Sequence, residues 1–157
     1  MGNSGNSGKF ALLTPGSLKK AERDLLVYSG LDASEYEVRK VVIVDMPDRP
    51  KLHITTIIAG NPEKPTMVLV HGYGGSGTLF YNVLKGLAEN FHVIVIDLIG
   101  MGSSSRPKWT IRDGSSADEF FNGALEAWRD KMGITDFILC GHSYGAYVMG
   151  TYACQYP

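Results

Sequence analysis

The residues Gly141-His142-Ser143-Tyr144-Gly145 spell the pattern G-x-S-x-G near the end of the 157-residue sequence. A short apolar run precedes the pattern, and a segment with helical spacing follows it. In that context the pattern is typical of a tight strand-to-helix turn that presents a serine hydroxyl as a nucleophile. The alternative is an ordinary glycine-containing turn in which the serine has no chemical role. We favour a nucleophilic Ser143.

A second glycine-rich segment, HGYGG at residues 71–75, follows another short apolar run. A nucleophile that attacks a carbonyl group needs two N–H donors for the negative oxygen that forms. We expect one donor from Tyr144 and the other from Tyr73. We expect His71 to hydrogen-bond within its loop, because the histidine base follows the serine in chains that use this turn. The supporting loop residues are therefore His71, Gly72, Gly74, Gly141, His142 and Gly145.

The same segment also fits a nucleotide site. Gly72, Gly74 and Gly77 match G-x-G-x-x-G, and Asp97 lies 20 residues further on, where dinucleotide-binding sheets carry an acid for the ribose. Three observations oppose this interpretation: His71 occupies the strand end, two further strands precede the unit, and the serine turn stays unexplained. A dinucleotide-binding domain is therefore the minor alternative.

A third loop, DLIGMGSSSRP at residues 97–107, follows a further apolar run. We predict that Asp97 accepts backbone hydrogen bonds within this loop and has a structural role. Arg106 could bind an anionic group, although an exposed arginine without a ligand is the simpler interpretation.

Hydrophobic patterning predicts the elements that position these loops. Two β-branched segments, Tyr36–Val44 and Leu52–Ala59, favour an antiparallel pair. Three buried apolar runs then alternate with three helical segments, which is typical of a parallel sheet with right-handed crossovers. Ligands of such sheets bind beyond the carboxyl ends of the strands, where the three loops begin. The runs are Met67–Val70, Phe91–Ile96 and Phe137–Cys140, and the helices are Thr78–Asn90, Ala117–Met132 and Ser143–Tyr156.

The composition narrows the class of protein. Hydrophobic residues make up 44% of the chain and charged residues 20%, and the net charge is −1. A chain this close to neutral argues against a nucleic-acid partner. The two cysteines, Cys140 and Cys154, have no metal-ligand spacing and are too few for a disulfide scaffold. We therefore expect no metal, no other cofactor and a reduced, cytoplasmic setting. We find no secretory signal and no membrane span, and peripheral membrane binding stays open.

The N-terminus, residues 1–16, is predicted to be a disordered tail rich in glycine, asparagine and serine. Gly2 fits the myristoylation pattern, but Asn6 stands where that pattern needs serine or threonine, so we favour an unmodified tail. Ser17 is the predicted N-cap of a helix. The predicted organisation is this tail, a helix and linker over residues 17–35, and the main domain over residues 36–157.

The order of HGYGGSG, DLIGMGSSSRP and GHSYG resembles the α/β-hydrolase fold over residues 36–157. Three further segments, LKKAERDLL, FFNGALEAWRDKMG and ILCGHSYGAYVMGTYACQYP, resemble the α/β-hydrolase-domain-containing proteins 4 and 5. The resemblance implies a mostly parallel sheet flanked by helices. It also implies a serine-dependent hydrolase or acyltransferase that acts on phospholipid or lysophospholipid acyl esters at a membrane or lipid-droplet surface. One branch of that group lacks the serine and acts as a lipase co-activator.

No Asp, Glu or His follows Ser143 in the sequence. The acid and the base come after the nucleophile in this fold, so we expect them beyond Pro157. We interpret the sequence as the N-terminal part of a longer enzyme, truncated after the helix that follows the serine turn. The isolated chain is expected to be nearly inactive, because loss of the base costs several powers of ten in rate. The alternative is a non-catalytic lipid-binding protein or lipase co-activator.

Overall fold

A computed structural model of the protein describes residues 14–46, 50–108 and 110–157. The strands are β1 (Tyr36–Val44), β2 (Leu52–Ala59), β3 (Thr66–Val70), β4 (His92–Ile96) and β5 (Ile138–Gly141), and the helices are α1 (Pro15–Val27), α2 (Tyr81–Ala88), α3 (Gly114–Met132) and α4 (Tyr144–Gln155). A 3₁₀ turn, Gly77–Phe80, directly precedes α2.

The five strands form one mixed sheet in the order β1-β2-β4-β3-β5. The predicted antiparallel pairing of β1 with β2 is confirmed, with Tyr36 opposite Ala59 at one end. β2 also pairs antiparallel with β4, which the sequence pattern did not indicate. β3 lies between β4 and β5 and runs parallel to both. The carboxyl ends of these three parallel strands therefore meet at one end of the sheet, as predicted.

Helices cover both faces of the sheet. Alternate strand residues point to opposite faces, and the strands β3 and β4 supply apolar side chains to both. One face packs on α3 and α4 through Val68, Val70, Ile94, Ile96, Phe121, Leu125, Trp128, Val148 and Met149. The other face packs on α1 and α2 through Leu69, Val93, Val95, Leu26 and Leu84. This three-layer arrangement is the predicted α/β architecture.

The first helix begins earlier than predicted. Thr14 is the N-cap, and its hydroxyl accepts a 3.2 Å hydrogen bond from the Ser17 backbone N–H. Pro15 occupies the first helical position, where its fixed φ and missing N–H are tolerated. The prediction of Ser17 as the N-cap is therefore wrong. The predicted tail, including Gly2 and Asn6, falls almost entirely outside the described residues.

The last strand is less buried than predicted. β5 lies at an edge of the sheet, and Ile138 is 44% exposed. The prediction of a third strand buried on both faces is therefore wrong. Ile138 and Cys140 are exposed on one face, and Leu139 packs on the core from the other. None of the described helices combines the length and apolar character that a membrane crossing requires.

Candidate active site

Ser143 occupies a strained position between β5 and α4. Its backbone has φ 54° and ψ −118°, and it is the one residue other than glycine with positive φ among the described residues. Such a conformation costs a side-chain-bearing residue on the order of 1–3 kcal/mol and persists only where the surroundings enforce it. The side chain is exposed, and its hydroxyl makes no hydrogen bond to a described residue.

The glycines on either side make this turn possible. A Cβ atom on Gly145 would lie 2.4 Å from the Val70 carbonyl oxygen and 2.5 Å from that of His71. A Cβ atom on Gly141 would lie 2.5 Å from backbone atoms of Ala146. Because the opposing atoms are backbone, neither position accepts a side chain without movement of β3 or α4.

The loop after β3 runs directly alongside the serine. A Cβ atom on Gly72 would lie 3.1 Å from the Ser143 Cβ and 3.1 Å from the His142 Nδ1. A tight turn follows, in which the Gly75 N–H donates to the Gly72 carbonyl at 3.1 Å. Gly74, in this turn, has φ 68°. Gly72 therefore allows the loop to approach Ser143 at van der Waals distance.

His71 connects this loop to the end of β4. Its Nδ1 contacts the Gly72 carbonyl oxygen at 2.7 Å, and its Nε2 accepts a 3.0 Å hydrogen bond from the Leu98 N–H. Since a carbonyl accepts and an amide donates, the proton resides on Nδ1 and the ring is neutral. His71 is only 1% exposed. Both ring nitrogens are engaged, so His71 positions the loop.

Two backbone N–H groups beside the serine have no acceptor among the described residues. One belongs to Tyr144, the first residue of α4, where the N–H groups have no intrahelical partner. The other belongs to Tyr73, in the neighbouring loop. The tyrosine rings meet edge to face with centroids 6.3 Å apart. The positive end of the α4 dipole lies at the same place and favours negative charge.

Asp97 orders the third loop. Its carboxylate accepts 2.6 Å hydrogen bonds from the backbone N–H groups of Gly77 and Ser103. Burial raises the pKa of this carboxyl, and the two hydrogen bonds oppose that rise. The predicted structural role of Asp97 is confirmed. Its oxygens are occupied and buried, which removes the ribose-binding acid that a dinucleotide site needs.

An apolar pocket of 650 Å³ opens next to the serine turn. Tyr73 and Tyr144 line one side of it, and α3 and the third loop line the other. Tyr144 also contacts Phe121 edge to face, with ring centroids 5.6 Å apart. We call this cavity the apolar pocket; its walls are Tyr73, Gly74, Gly75, Ile99, Gly100, Met101, Gly102, Arg106, Pro107, Phe120, Phe121 and Tyr144.

A sequence profile described as "alpha/beta hydrolase fold" matches residues 65–157. The chain belongs to the α/β-hydrolase fold family. This assignment confirms the resemblance and contradicts the dinucleotide-binding alternative.

Three relatives with similar sequences carry the names of enzymes that act on lipids. The Arabidopsis thaliana 1-acylglycerol-3-phosphate O-acyltransferase is 44% identical over 93 residues, which is 59% of this chain and 22% of that protein. The Mus musculus (lyso)-N-acylphosphatidylethanolamine lipase is 34% identical over 114 residues, 73% of this chain and 33% of that protein. The Homo sapiens 1-acylglycerol-3-phosphate O-acyltransferase ABHD5 is 35% identical over 94 residues, 60% of this chain and 27% of that protein, which confirms the resemblance to the domain-containing 4 and 5 group. The chain spans between about a fifth and a third of these relatives.

Solved structures support the same fold. The crystal structure of a membrane phospholipase A superimposes with a TM-score of 0.67 at 24% identity, over 91% of this chain and 40% of that one. A haloalkane dehalogenase from Bradyrhizobium elkanii gives a TM-score of 0.62 at 21% identity, over 73% and 34%. These two enzymes catalyse different reactions, so the structural likeness indicates the α/β-hydrolase fold alone.

The remaining histidines of this α/β-hydrolase do not reach the serine hydroxyl. His53 bonds to Ser105 and to the Ser103 carbonyl in the third loop. His92 contacts Thr66 at the opposite end of the parallel strands. His142 precedes the serine and is exposed. Within the described residues, no histidine, aspartate or glutamate hydrogen-bonds to Ser143, and no cluster of three metal-ligating side chains occurs.

The structure brings the predicted loop residues together, but the sequence did not indicate the far wall of the apolar pocket. Phe120 and Phe121 fall within the predicted helix of α3. Phe121 belongs to the core cluster and Phe120 packs against that cluster, so the helical pattern alone accounts for both residues. The sequence therefore carries no signal that assigns them to the site.

Proposed function

We propose that this protein is the nucleophile-bearing part of a serine-dependent hydrolase or acyltransferase that acts on acyl esters of phospholipids or lysophospholipids. The observation that carries the proposal is the strained, exposed Ser143, which lies beside two backbone N–H groups without acceptors. Strain of this kind persists at functional sites, where surrounding structure enforces it. The apolar pocket next to the turn and the lipid-acting relatives support the substrate class.

In the proposed reaction the Ser143 Oγ attacks the acyl carbonyl carbon. A C–O bond forms, the carbonyl electron pair moves to the oxygen, and a base takes the serine proton. The N–H groups of Tyr73 and Tyr144 donate to this oxyanion, and the N-terminal end of α4 stabilises its charge. Collapse expels the alcohol, which takes the proton from the base. Water or a second alcohol then gives a proton to the base and attacks the acyl-serine carbonyl. The bond from the acyl carbon to the Ser143 Oγ breaks, and the base returns the proton to that oxygen.

The base and its orienting acid are assigned to sequence that follows Pro157. Two observations support this assignment. His53 and His71 are engaged in hydrogen bonds elsewhere, and the chain spans only 33% of the mouse lipase. In the triad order of this fold, both groups follow the serine.

We further propose that the protein works in the cytoplasm at a membrane or lipid-droplet surface. Long-chain acyl esters reside in such surfaces, so an enzyme with this substrate must dock there. Tyr73 is 84% exposed and Leu79 is 59% exposed, and both lie on the segment that follows β3. Exposed aromatic and aliphatic side chains beside a lipid site suit interfacial contact.

The proposal is tested by labelling the native protein with a fluorophosphonate probe. Only an activated serine reacts quickly, and mass spectrometry locates the adduct. We expect the label on the peptide that contains Ser143, its loss in Ser143→Ala, and its retention in Ser115→Ala, which removes another exposed serine. Rapid labelling elsewhere, or none, would overturn the proposed nucleophile.

One observation favours a second candidate, a non-catalytic lipid-binding protein or lipase co-activator. The Ser143 hydroxyl has no hydrogen-bonding base among the described residues, and an unactivated serine is a poor nucleophile. That candidate predicts that the native protein binds phospholipid but does not react with the fluorophosphonate probe. Intact-mass spectrometry of the native protein would then show no adduct. Rapid labelling at Ser143 would exclude it.

A further inference from the structure

A second cavity of 980 Å³ lies between α1, β1 and the loops that follow β3 and β4. Its described walls carry four cationic side chains and one carboxylate, which gives a formal charge of +3 against −1 for the whole chain. We call this cavity the basic groove; its charged members are Lys19, Glu22, Arg39, Lys40 and Arg106.

Three of the four cations are available to a ligand. Arg39 is held by Glu37 through two hydrogen bonds of 2.9 and 2.6 Å, so its charge is largely compensated. Lys19, Lys40 and Arg106 form no salt bridge with a described residue, and Arg106 interacts with the buried Asp97 carboxylate only at longer range. The three come from α1, β1 and the third loop, so the fold collects them from distant parts of the sequence.

The groove's own carboxylate, Glu22, offsets part of this positive charge, because it interacts electrostatically with Lys40. Both Glu22 oxygens accept a 2.7 Å hydrogen bond from the Ser103 Oγ. The first turn of α1 also lines the groove, at Thr14 and Gly16. The positive end of the α1 dipole therefore adds to the field of the lysines.

The basic groove is continuous with the apolar pocket. Gly74, Gly75, Gly102 and Arg106 line both cavities. Arg106 stands at this junction, where its guanidinium donates a 2.8 Å hydrogen bond to the Gly102 carbonyl. A guanidinium has five donors, so most of them remain for a ligand. The combined site is apolar at one end and cationic at the other, with the serine turn beside its apolar half.

We propose that the basic groove binds the phosphate of an anionic phospholipid or lysophospholipid while an acyl chain occupies the apolar pocket. This inference rests on the proposed function and specifies the head group of its substrate. Arg106 contacts the phosphate at the junction, and Lys19 and Lys40 attract it from the walls. Charge-assisted hydrogen bonds of this kind are the strong ones in phosphate recognition. A zwitterionic head group gains less, because its own ammonium group competes for the phosphate.

The test is calorimetric binding of three probes to the Ser143→Ala protein, which cannot turn them over. The probes are dihexanoyl phosphatidic acid, dihexanoyl phosphatidylcholine and inorganic phosphate, each as a monomer at fixed ionic strength. We expect the phosphatidic acid to bind about tenfold more tightly than the phosphatidylcholine, which corresponds to one or two charge-assisted contacts. We expect inorganic phosphate to bind more weakly than either lipid, because it gains nothing from the apolar pocket.

Neighbouring lysines on α1 provide a matched control. Lys19 lines the groove, whereas Lys20 does not and bonds to Asp24 instead. Lys19→Gln and Arg106→Gln should each weaken phosphatidic acid binding about fivefold to tenfold, and Lys20→Gln should leave it unchanged. Arg106→Lys keeps the charge and should retain most of the affinity, which separates a charge effect from a disturbed loop.

Three results would overturn the proposal. The first is equal affinity for phosphatidic acid and phosphatidylcholine. The second is equal affinity for phosphatidic acid and inorganic phosphate, which would indicate a free-anion site. The third is an equal effect of Lys19→Gln and Lys20→Gln. Failure of the proposed catalysis would appear in a different experiment, as missing fluorophosphonate labelling of Ser143 in the native protein. The binding assay uses the Ser143→Ala protein, so its result does not depend on catalysis.

Discussion

The backbone of Gly145 packs against the carbonyl oxygen of Val70, where a Cβ atom would lie only 2.4 Å away. This contact joins the first turn of α4 to the end of β3. Because α4 begins directly after Ser143, the same contact fixes the position of the candidate nucleophile relative to the loop that carries Tyr73.

Gly145→Ala should destabilise the protein strongly. The added methyl group meets two backbone carbonyls, so β3 or α4 must shift, and we expect a loss of about 3 kcal/mol in the free energy of unfolding. Gly150→Ala is the control on the same helix, since its Cβ meets no atom within 4 Å. It should stabilise α4 by about 0.5–1 kcal/mol. Urea denaturation of both variants measures the difference, and similar values would contradict the packing described.

Ser143→Gly should stabilise the fold while removing the nucleophile. Glycine adopts the φ of 54° found at this position without steric cost. We expect this relief of strain to exceed the extra conformational entropy that a glycine loses on folding. We expect a gain of about 1 kcal/mol in thermal or urea unfolding. Ser143→Ala removes the hydroxyl and keeps the strain, so its stability should match the parent protein. An equal gain in both variants would mean that the hydroxyl, and not the backbone, is the source.

Two adjacent threonines of β2 should respond differently to valine. The buried Thr56 hydroxyl accepts a 2.9 Å hydrogen bond from the Trp128 indole N–H. Thr56→Val leaves that donor without a partner and should cost about 1–3 kcal/mol. The Thr55 hydroxyl is buried without a hydrogen-bond partner in the described part of the chain, so Thr55→Val should be neutral or stabilising. Chemical denaturation compares the two, and a costly Thr55→Val would contradict the assignment.

Stability should fall at acid pH through Glu126, whose carboxylate accepts hydrogen bonds from Arg129 and from the Tyr152 hydroxyl. The Arg129 hydrogen bonds, more than any other contact, lower its pKa from 4.5 to about 2. A lowered pKa means that the carboxylate stabilises the folded state above pH 4.5 and loses this contribution as the pH falls towards 2.

Glu126→Gln should therefore be less stable than the parent by about 1–2 kcal/mol at pH 7, with the difference shrinking towards pH 2. Glu119→Gln, an exposed position on α3, is the control and should follow the parent at every pH. Urea unfolding at pH 7, 4 and 2.5 measures the trend. A constant difference between parent and Glu126→Gln would exclude titration of this carboxylate as the cause.

Local patterns account for much of the fold. The bounds of β1 and β2 match the prediction to the residue, because β-branched alternation between turn residues is a local signal. The helix α3 begins at Gly114, three residues before the predicted start at Ala117. Asp113 caps it by accepting a hydrogen bond from the Ser116 N–H. An aspartate followed by a serine three residues later also occurs in ordinary turns. The sequence Asp113 to Ser116 therefore does not by itself mark the start of a helix.

Strand order and the basic groove could not be predicted in this way. The apolar run of β5 has the same pattern at an edge as in the middle of a sheet, so its exposure depends on neighbours that the pattern does not specify. Lys19, Lys40 and Arg106 belong to segments with mixed charges, and nothing in their spacing relates them. The serine turn was predictable, because strand, turn, glycines and helix are all local to Ser143.

The pairing of β5 with β3 has a consequence for the order of folding. It joins Met67 to Ile138 across α2, β4 and α3, whereas β1 and β2 are neighbours along the chain. Contacts between distant segments carry the larger loop-closure cost and form late. The Ser143 turn reaches the Tyr73 loop only when β5 docks, so the early β1–β2 hairpin precedes any functional geometry. In pulsed hydrogen exchange we therefore expect the amides of β5 to become protected last, and early protection there would contradict this order.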